Sequence, residues 1–447
     1  MRAYESIALG IPEILLPQAG LDLTKWAVIA CDQYTSEPAY WEKAAGLVGD
    51  APSTLHLIYP EVFLNEPEPE KNARIGRIRK TMADYFARGL FNSAEGLVFV
   101  ERTTGGKTRK GLVAAMDLEH YDYRKGSTTL IRATEGTIIE RIPPRVRIRE
   151  GAPMELPHIM VLIDDPADEV IGPVAAAAGT LPKLYDFELM LGSGHLAGYR
   201  VAGRALEENL VRGLTRLAEP RAFAAKYGLK DGTPVLLYAM GDGNHSLATA
   251  KTIWEKTKEA AGGAAAVKNS PLRYAIVELV NVHDDALAFE PIHRVLFDVA
   301  AGRDLVAEMK AFYGGHVRYE SLCCLNMMKA AVDSQTGPAH RIGLITPEGF
   351  GVLEAEAAGS NLPVGTLQNF LDVFLKDKGA REIDYVHGTD VVAELGAKPG
   401  NMGFYLAGMR KTDLFKTVIL DGALPRKTFS MGEAWEKRFY MEGRKLA

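Results

Sequence analysis

The chain has 447 residues, 47% of them hydrophobic and 24% charged, with a formal net charge of −5. That length allows two or three domains with large cores, and the slightly acidic balance supplies no field for general nucleic-acid binding or for an anionic membrane. Three cysteines (Cys31, Cys323 and Cys324) make neither a disulfide framework nor a zinc-ligand spacing, and no leader-like segment or run of ~20 apolar residues stands out, so a soluble, cytoplasmic protein is expected.

In chain order, Trp26 to Ala30 predicts a short strand running into Cys31-Asp-Gln-Tyr-Thr-Ser36, and Pro38 to Leu47 predicts a helix. Thr54 to Tyr59 reads as a further strand. Glu70 to Gly89 carries Ile75, Ile78, Met82, Tyr85 and Phe86 at helical spacing. Gly96 to Arg102 and Thr108 to Asp117 predict a hairpin around Thr103-Thr-Gly-Gly-Lys107. Strands follow at His158 to Asp164 and Tyr199 to Val201, with helix over Arg204 to Tyr227. After Val235 to Met240 and its helix, the small-residue stretch Ala260 to Val267 predicts a flexible segment. Tyr274 to Val282 is a strong strand. The last third brings strand-like segments at Gly314 to Val317, Ile342 to Thr346 and Gly351 to Glu354, a helix over Thr366 to Lys376, and a polar, basic tail after Val418 to Leu420. Strands and helices alternate without a strict βαβ rhythm, which predicts a mixed α/β (α+β) fold rather than a Rossmann fold. A division near residue 300 separates an α/β core, 1–300, from a smaller C-terminal α+β domain, 301–447.

The most informative stretch is Pro234-Val-Leu-Leu-Tyr-Ala-Met-Gly-Asp-Gly-Asn-His-Ser-Leu-Ala-Thr-Ala-Lys251. It reads as a buried strand, a polar turn, and a helix capped by Ser246 and continuing over Leu247 to Lys258. Gly241 and Gly243 allow backbone angles that a Cβ would block. The turn stands at a helix N-terminus, where free N–H groups and the macrodipole favour an anion. Asp242, Asn244 and His245 add an acceptor, an amide and an imidazole. Each of these residues alone is an ordinary turn or capping residue. Together, between a buried strand and a helix, they point to a ligand.

Arg141, Arg145, Arg147 and Arg149 form the densest cationic stretch, and Pro143 and Pro144 predict a non-helical display of their guanidinium groups. Such forks suit phosphate, and a solvated charged edge is the plainer alternative. Glu135 is a candidate general base or a surface carboxylate. His283-Asp-Asp285 and Glu290-Pro-Ile-His-Arg294 contain ligands for a divalent ion, although such loops are more often hydrogen-bonded turns. Cys31 beside Asp32 reads as a buried thiol rather than a nucleophile. The chain contains no Gly-x-x-x-x-Gly-Lys-Ser/Thr, His-Glu-x-x-His or Gly-x-Ser-x-Gly motif.

Taken together, these segments resemble the bacterial and archaeal family catalogued as domain of unknown function 1015. Its loop reads Asp-Gly-His-His-Arg before a Thr-Ala helix, and here Asp242-Gly-Asn-His-Ser246 and Thr249-Ala250 match it, with Asn for the first His and Ser for the Arg. Glu135-x-Thr137 with Arg141 and Arg145, His293-Arg294, Ile383-Asp-Tyr-Val-His387 and Leu424-Pro-Arg-Lys-Thr428 match its other markers. That loop is in turn similar to the phosphate-binding loop of the ParB/sulfiredoxin superfamily, which includes a free-serine kinase.

The resemblance implies a ParB/sulfiredoxin-like core and a nucleotide-dependent kinase acting on a small hydroxyl-bearing metabolite, with ATP or ADP and Mg²⁺ as cofactors. Gly241, Gly243, Asn244 and Ser246 would cradle phosphates. Arg141 and Arg145 would supply the charge lost with the loop Arg. Glu135, Asp242 and His245 would carry catalysis, with Asp32, Gln33, His293 and Arg294 beside the substrate. One alternative is a nucleotide-binding regulatory module without turnover, working as a homodimer. The other is a metal-assisted hydrolase built on His245, His283, Asp284 and His293.

Overall fold

A computed structural model describes residues 1–356 and 359–446. The fold is mixed α/β and divides into two compact units, one formed by residues 1–287 with 433–446 and the other by 288–432. The division thus falls before residue 300, and the final segment rejoins the first unit rather than belonging to a C-terminal domain. The reason is local: Phe439, Tyr440 and Met441 interrupt the basic tail with apolar side chains, and all three are buried.

In the first unit the main sheet is built from β1 (Val98–Thr104), β2 (Lys107–Asp117), β3 (Met160–Ile163), β4 (Lys183–Glu188), β5 (His195–Arg200), β6 (Tyr238–Asp242) and β7 (Tyr274–Asn281). Their spatial order is β4-β5-β1-β2-β7-β3-β6, continued by the short strands Ile131–Arg132 and Tyr121–Asp122. The β1–β2 hairpin pairs Val98 with Val113 and Thr104 with Lys107, as expected from its turn. Strand β3 runs parallel to β7 and antiparallel to β6.

Both faces of this sheet are covered, which explains the continuous apolar runs of its central strands. Phe99, Leu112, Val161, Val277 and Leu279 face one layer, where Leu210, Leu214, Leu247, Ala250 and Trp254 pack. Val98, Val100, Val113 and Ile276 face the other, against Trp26, Trp41, Ile78, Met82 and Tyr85, and against Phe439 and Tyr440 of the tail. The helices concerned are α1 (Pro38–Val48), α2 (Glu68–Ala87), α3 (Ile142–Arg149), α4 (Arg204–Leu217) and α5 (Asn244–Ala260). Full burial of side chains such as Phe99 or Leu279 contributes roughly 1.5–3 kcal/mol each.

Three local expectations are corrected. Thr54–Tyr59 is no strand: residues Thr54–His56 form a 3₁₀ turn, because the Thr54 hydroxyl donates to Trp26 O (2.8 Å) and accepts from Val28 N–H (3.2 Å), replacing ladder bonds. Pro143 and Pro144 do not hold the arginine segment open. They occupy the first turn of α3, where a missing N–H costs nothing and the fixed φ suits a helix. Gly314 to Val317 mostly precedes its strand, which spans Val317–Leu322.

The second unit carries a six-stranded sheet of β8 (His293–Val299), β9 (Val317–Leu322), β10 (His340–Thr346), β11 (Gly349–Ala355), β12 (Ala380–Val386) and β13 (Met402–Tyr405) in the order β9-β11-β10-β13-β8-β12. All of its pairings are antiparallel. Among the described residues no helix is long and apolar enough to cross a membrane.

Candidate functional site

The turn between β6 and α5 is the centre of the site. Helix α5 starts at Asn244, three residues earlier than a Ser246 cap requires, and its N-cap is Gly243 at φ +77°. A Cβ there would stand 3.0 Å from Ile159 Cα, so glycine is needed both for the angle and for the close approach. Gly241, by contrast, is an ordinary strand residue. Asp242 holds the turn from inside: Oδ1 accepts Gly243 N–H (2.8 Å) and Oδ2 lies 3.2 Å from Lys437 Nζ. The first N–H groups of α5, at Asn244, His245 and Ser246, have no partner within the helix and carry the positive end of its dipole. These three residues are only half-buried.

Ser246, freed from capping, meets His158. Its Oγ is 3.3 Å from His158 Nε2, which also lies 3.3 Å from Asp32 Oδ2. His158 Nδ1 is 2.7 Å from the Tyr440 hydroxyl, and that oxygen accepts Cys31 N–H at 3.1 Å. Asp32 Oδ1 takes a hydrogen bond from Gln33 Nε2 (3.0 Å). Serine and aspartate thus share one ring nitrogen, which is not the arrangement of a hydrolase triad, where they sit on opposite nitrogens. Burial opposes charge on both partners, but their mutual attraction and hydrogen bond win: His158 titrates above the ordinary histidine range and Asp32 well below the usual carboxylate range. Burial, with Asp32 and Glu61 nearby, drives the Cys31 thiol far up, which agrees with an inert thiol.

His245 behaves in the opposite way. Burial, reinforced by the Arg145 and Arg141 guanidinium groups, lowers it to about 4, so it is neutral at pH 7. Its Nε2 accepts Ile138 N–H at 3.4 Å. Thr134 Oγ1 donates to Met240 O at 2.7 Å. The segment carrying Glu135 is therefore fastened to the turn at both ends. Arg145 pairs with Glu61 and donates to Arg141 O (2.8 Å), whereas Arg147 turns to Glu68 and Asn72 and Arg149 to Glu155. Helix α3 brings Arg145 here by packing Ile142 and Val146 on Ala248 and Ile253 of α5.

The structure thus brings together Asp32, Gln33, Arg141, Arg145, Asp242, Gly243, Asn244, His245 and Ser246, with the Glu135 segment alongside. His293 and Arg294 belong to the second unit. There His293 Nδ1 accepts Leu406 N–H (3.2 Å), and Arg294 donates to Arg426 O and Lys427 O (2.9 Å each). Their bonds hold that unit's strands and loops. His283 Nε2 is bound to Asp164 (2.6 Å), and among the described residues no three His, Cys, Asp or Glu side chains converge as a metal cage.

His158, Tyr440, Lys437 and Glu61 are the site residues that sequence reasoning missed. The available signals were a histidine opening the apolar run of β3 and three apolar residues within a basic tail.

The class this fold and site define is a mixed α/β protein with a strand–turn–helix, open at the helix N-terminus, beside a His–Asp pair. The chain belongs to the family described as protein of unknown function (DUF1015), whose model matches residues 15–374. No curated protein matches it. Among solved structures it is similar to a mutant free serine kinase in complex with ADP, at 9% identity and a TM-score of 0.39, covering 77% of this chain and 95% of that one. A complex of such a mutant with AMP shares 10% identity at a TM-score of 0.39, covering 75% and 92%. A conserved hypothetical protein from Pyrococcus furiosus shares 10% at 0.35, covering 75% and 94%.

Proposed function

We propose that the protein is a nucleotide-dependent phosphotransferase acting on a small hydroxyl-bearing molecule. The observation that carries this reading is the open N-terminus of α5, flanked by Arg141, Arg145 and Lys437 and set beside the charged Asp32–His158 pair. Phosphoryl transfer asks mainly for positioning and for charge compensation, and this combination supplies both. The N–H groups of Asn244, His245 and Ser246 would hold phosphate oxygens, with Arg141 and Arg145 outside them. Lys437, oriented by Asp242, would face charge developing on the transferred group. Glu135 would take the proton of the acceptor hydroxyl, since its segment is fastened to the turn at Met240 and His245. Mg²⁺, carried on the nucleotide phosphates, would need only one or two protein carboxylates and would supply further charge neutralisation. His245, neutral at pH 7 and accepting Ile138 N–H at Nε2, is available to donate a hydrogen bond from Nδ1 without adding charge.

The test is a thermal-shift panel of ATP, ADP, CTP and GTP with Mg²⁺, run on the wild type and on His245→Ala. A nucleotide that stabilises the wild type but not the variant supports phosphates at the turn, and γ-phosphate loss with an alcohol acceptor completes the reading. No shift with any nucleotide overturns it. Unchanged transfer in Glu135→Gln removes Glu135 from the base role.

A further inference from the structure

A cavity of about 140 Å³ opens beside the turn. The ion-paired Glu61 and Arg145, with Glu155, border it, and its other walls are of two kinds. Leu57, Ile78, Met82, Ile148 and Met154 give an apolar surface drawn from α2, α3 and the segments around them. His158, Ser246, Tyr440 and Cys31 give a polar surface, and these four are the hydrogen-bonded cluster already described. His158 is 5% exposed, so this polar surface is built into the core. Arg149 also lines the cavity, and its Nε–H is buried with no acceptor among the described residues. A buried donor of this kind is costly unless an acceptor reaches it.

We infer that this cavity seats the apolar part of the acceptor molecule, a group the size of a phenyl ring or a branched five-carbon chain that carries an oxygen function. The size follows from the volume, since an apolar protein cavity of roughly 150 Å³ takes a benzene ring. The oxygen function follows from the polar surface, where the Ser246 hydroxyl, held by His158, can bond a hydroxyl and the Arg149 Nε–H lacks an acceptor. The shape disfavours a sugar or polyol, whose hydroxyl groups would meet Leu57, Ile78 and Met82 without hydrogen-bond partners. The chemistry done at that hydroxyl rests on the phosphotransferase reading. The occupancy of the cavity does not.

Benzyl alcohol and glycerol serve as probes, titrated calorimetrically and by ligand-detected NMR into the full chain with and without ATP and Mg²⁺. Benzyl alcohol is expected to bind and glycerol not to bind. Ala152→Leu, which fills the cavity from its wall, should weaken benzyl alcohol about tenfold or more, corresponding to about 1.4 kcal/mol. Should that variant fail to fold, Met82→Ala enlarges the same space and should shift preference from benzyl alcohol toward 3-phenyl-1-propanol. Benzyl alcohol bound in a protein that ignores nucleotides would retain the cavity assignment and remove the phosphotransferase reading. Nucleotide binding with no benzyl alcohol binding, or binding that neither variant changes, would overturn the cavity assignment alone.

Discussion

The Tyr440 hydroxyl lies 2.7 Å from Nδ1 of His158, across 282 residues of sequence. Two-residue strands make this contact: Phe439–Tyr440 pairs antiparallel with Val28–Ile29, which only Ala30 separates from Cys31 and Asp32. The tail therefore fixes both sides of the histidine. Tyr440 holds one ring nitrogen, and the strand it pairs with delivers Asp32 to the other.

Tyr440→Phe should accordingly lower stability by about 1–3 kcal/mol, because it strips buried His158 Nδ1 and Cys31 N–H of one shared partner. Equilibrium urea unfolding measures this. A loss below about 0.5 kcal/mol would mean that the ring packs without its hydroxyl mattering.

The charged Asp32–His158 pair predicts a pH signature. His158 is raised in the fold, so its contribution is complete below the unfolded value of about 6.5 and disappears as pH rises through the folded value. Asp32 is depressed, so its contribution is complete above about 3.9 and disappears as pH falls through the folded value. The stability gap between wild type and Asp32→Asn should thus be widest near pH 5 and narrow toward pH 9. Urea unfolding at pH 5, 7 and 9 tests it, and a gap that stays constant would show that the two groups are not ionised together.

His245 gives the opposite sign and a test of anion binding. Burial and two guanidinium groups lower it to about 4, so folding is favoured above the unfolded value of about 6.5 and that advantage is lost as pH falls toward 4. An anion at the α5 N-terminus draws the proton back on. Sulfate, which stays a dianion over this range, should bind more tightly at pH 5 than at pH 7, with proton uptake visible as a buffer-dependent calorimetric enthalpy. His245→Ala should flatten that dependence. Equal slopes in both proteins would move the anion away from the turn.

Much of this site was legible because it is local. A strand, a glycine at φ +77° and a helix lie within about twenty residues, and short-range rules of turn and helix chemistry govern them. The error of three residues in the helix start arose because Ser246 and Gly243 are both acceptable caps. Packing chose glycine, since only it tolerates Ile159 at that distance. His158, Lys437 and Tyr440 were not legible, because their partners are set by long-range pairing rather than by periodicity. The tail misled most. Arg438 and Arg444 give it a solvated appearance, yet each is 5% exposed and bound to buried carboxylates of the sheet region.

That tail separates structure from chemistry at two adjacent residues. Arg438 donates to Glu278 (2.5 Å) and Glu442 (2.7 Å), all three being buried, and Arg109 shares Glu278. Removing one member of such a network leaves an uncompensated buried charge, so Arg438→Met should cost about 3–5 kcal/mol. Lys437 is more open and pairs only with Asp242 in the ion pairs of the described residues, so Lys437→Met should cost about 1 kcal/mol or less. Its effect on nucleotide or sulfate binding should be the larger one, because it removes a cation at the turn while the fold persists. Chemical unfolding and sulfate titration of both variants decide the matter. A Lys437→Met protein that binds sulfate like the wild type would confine Lys437 to holding Asp242 in place, leaving Arg141, Arg145 and the helix start to hold the anion.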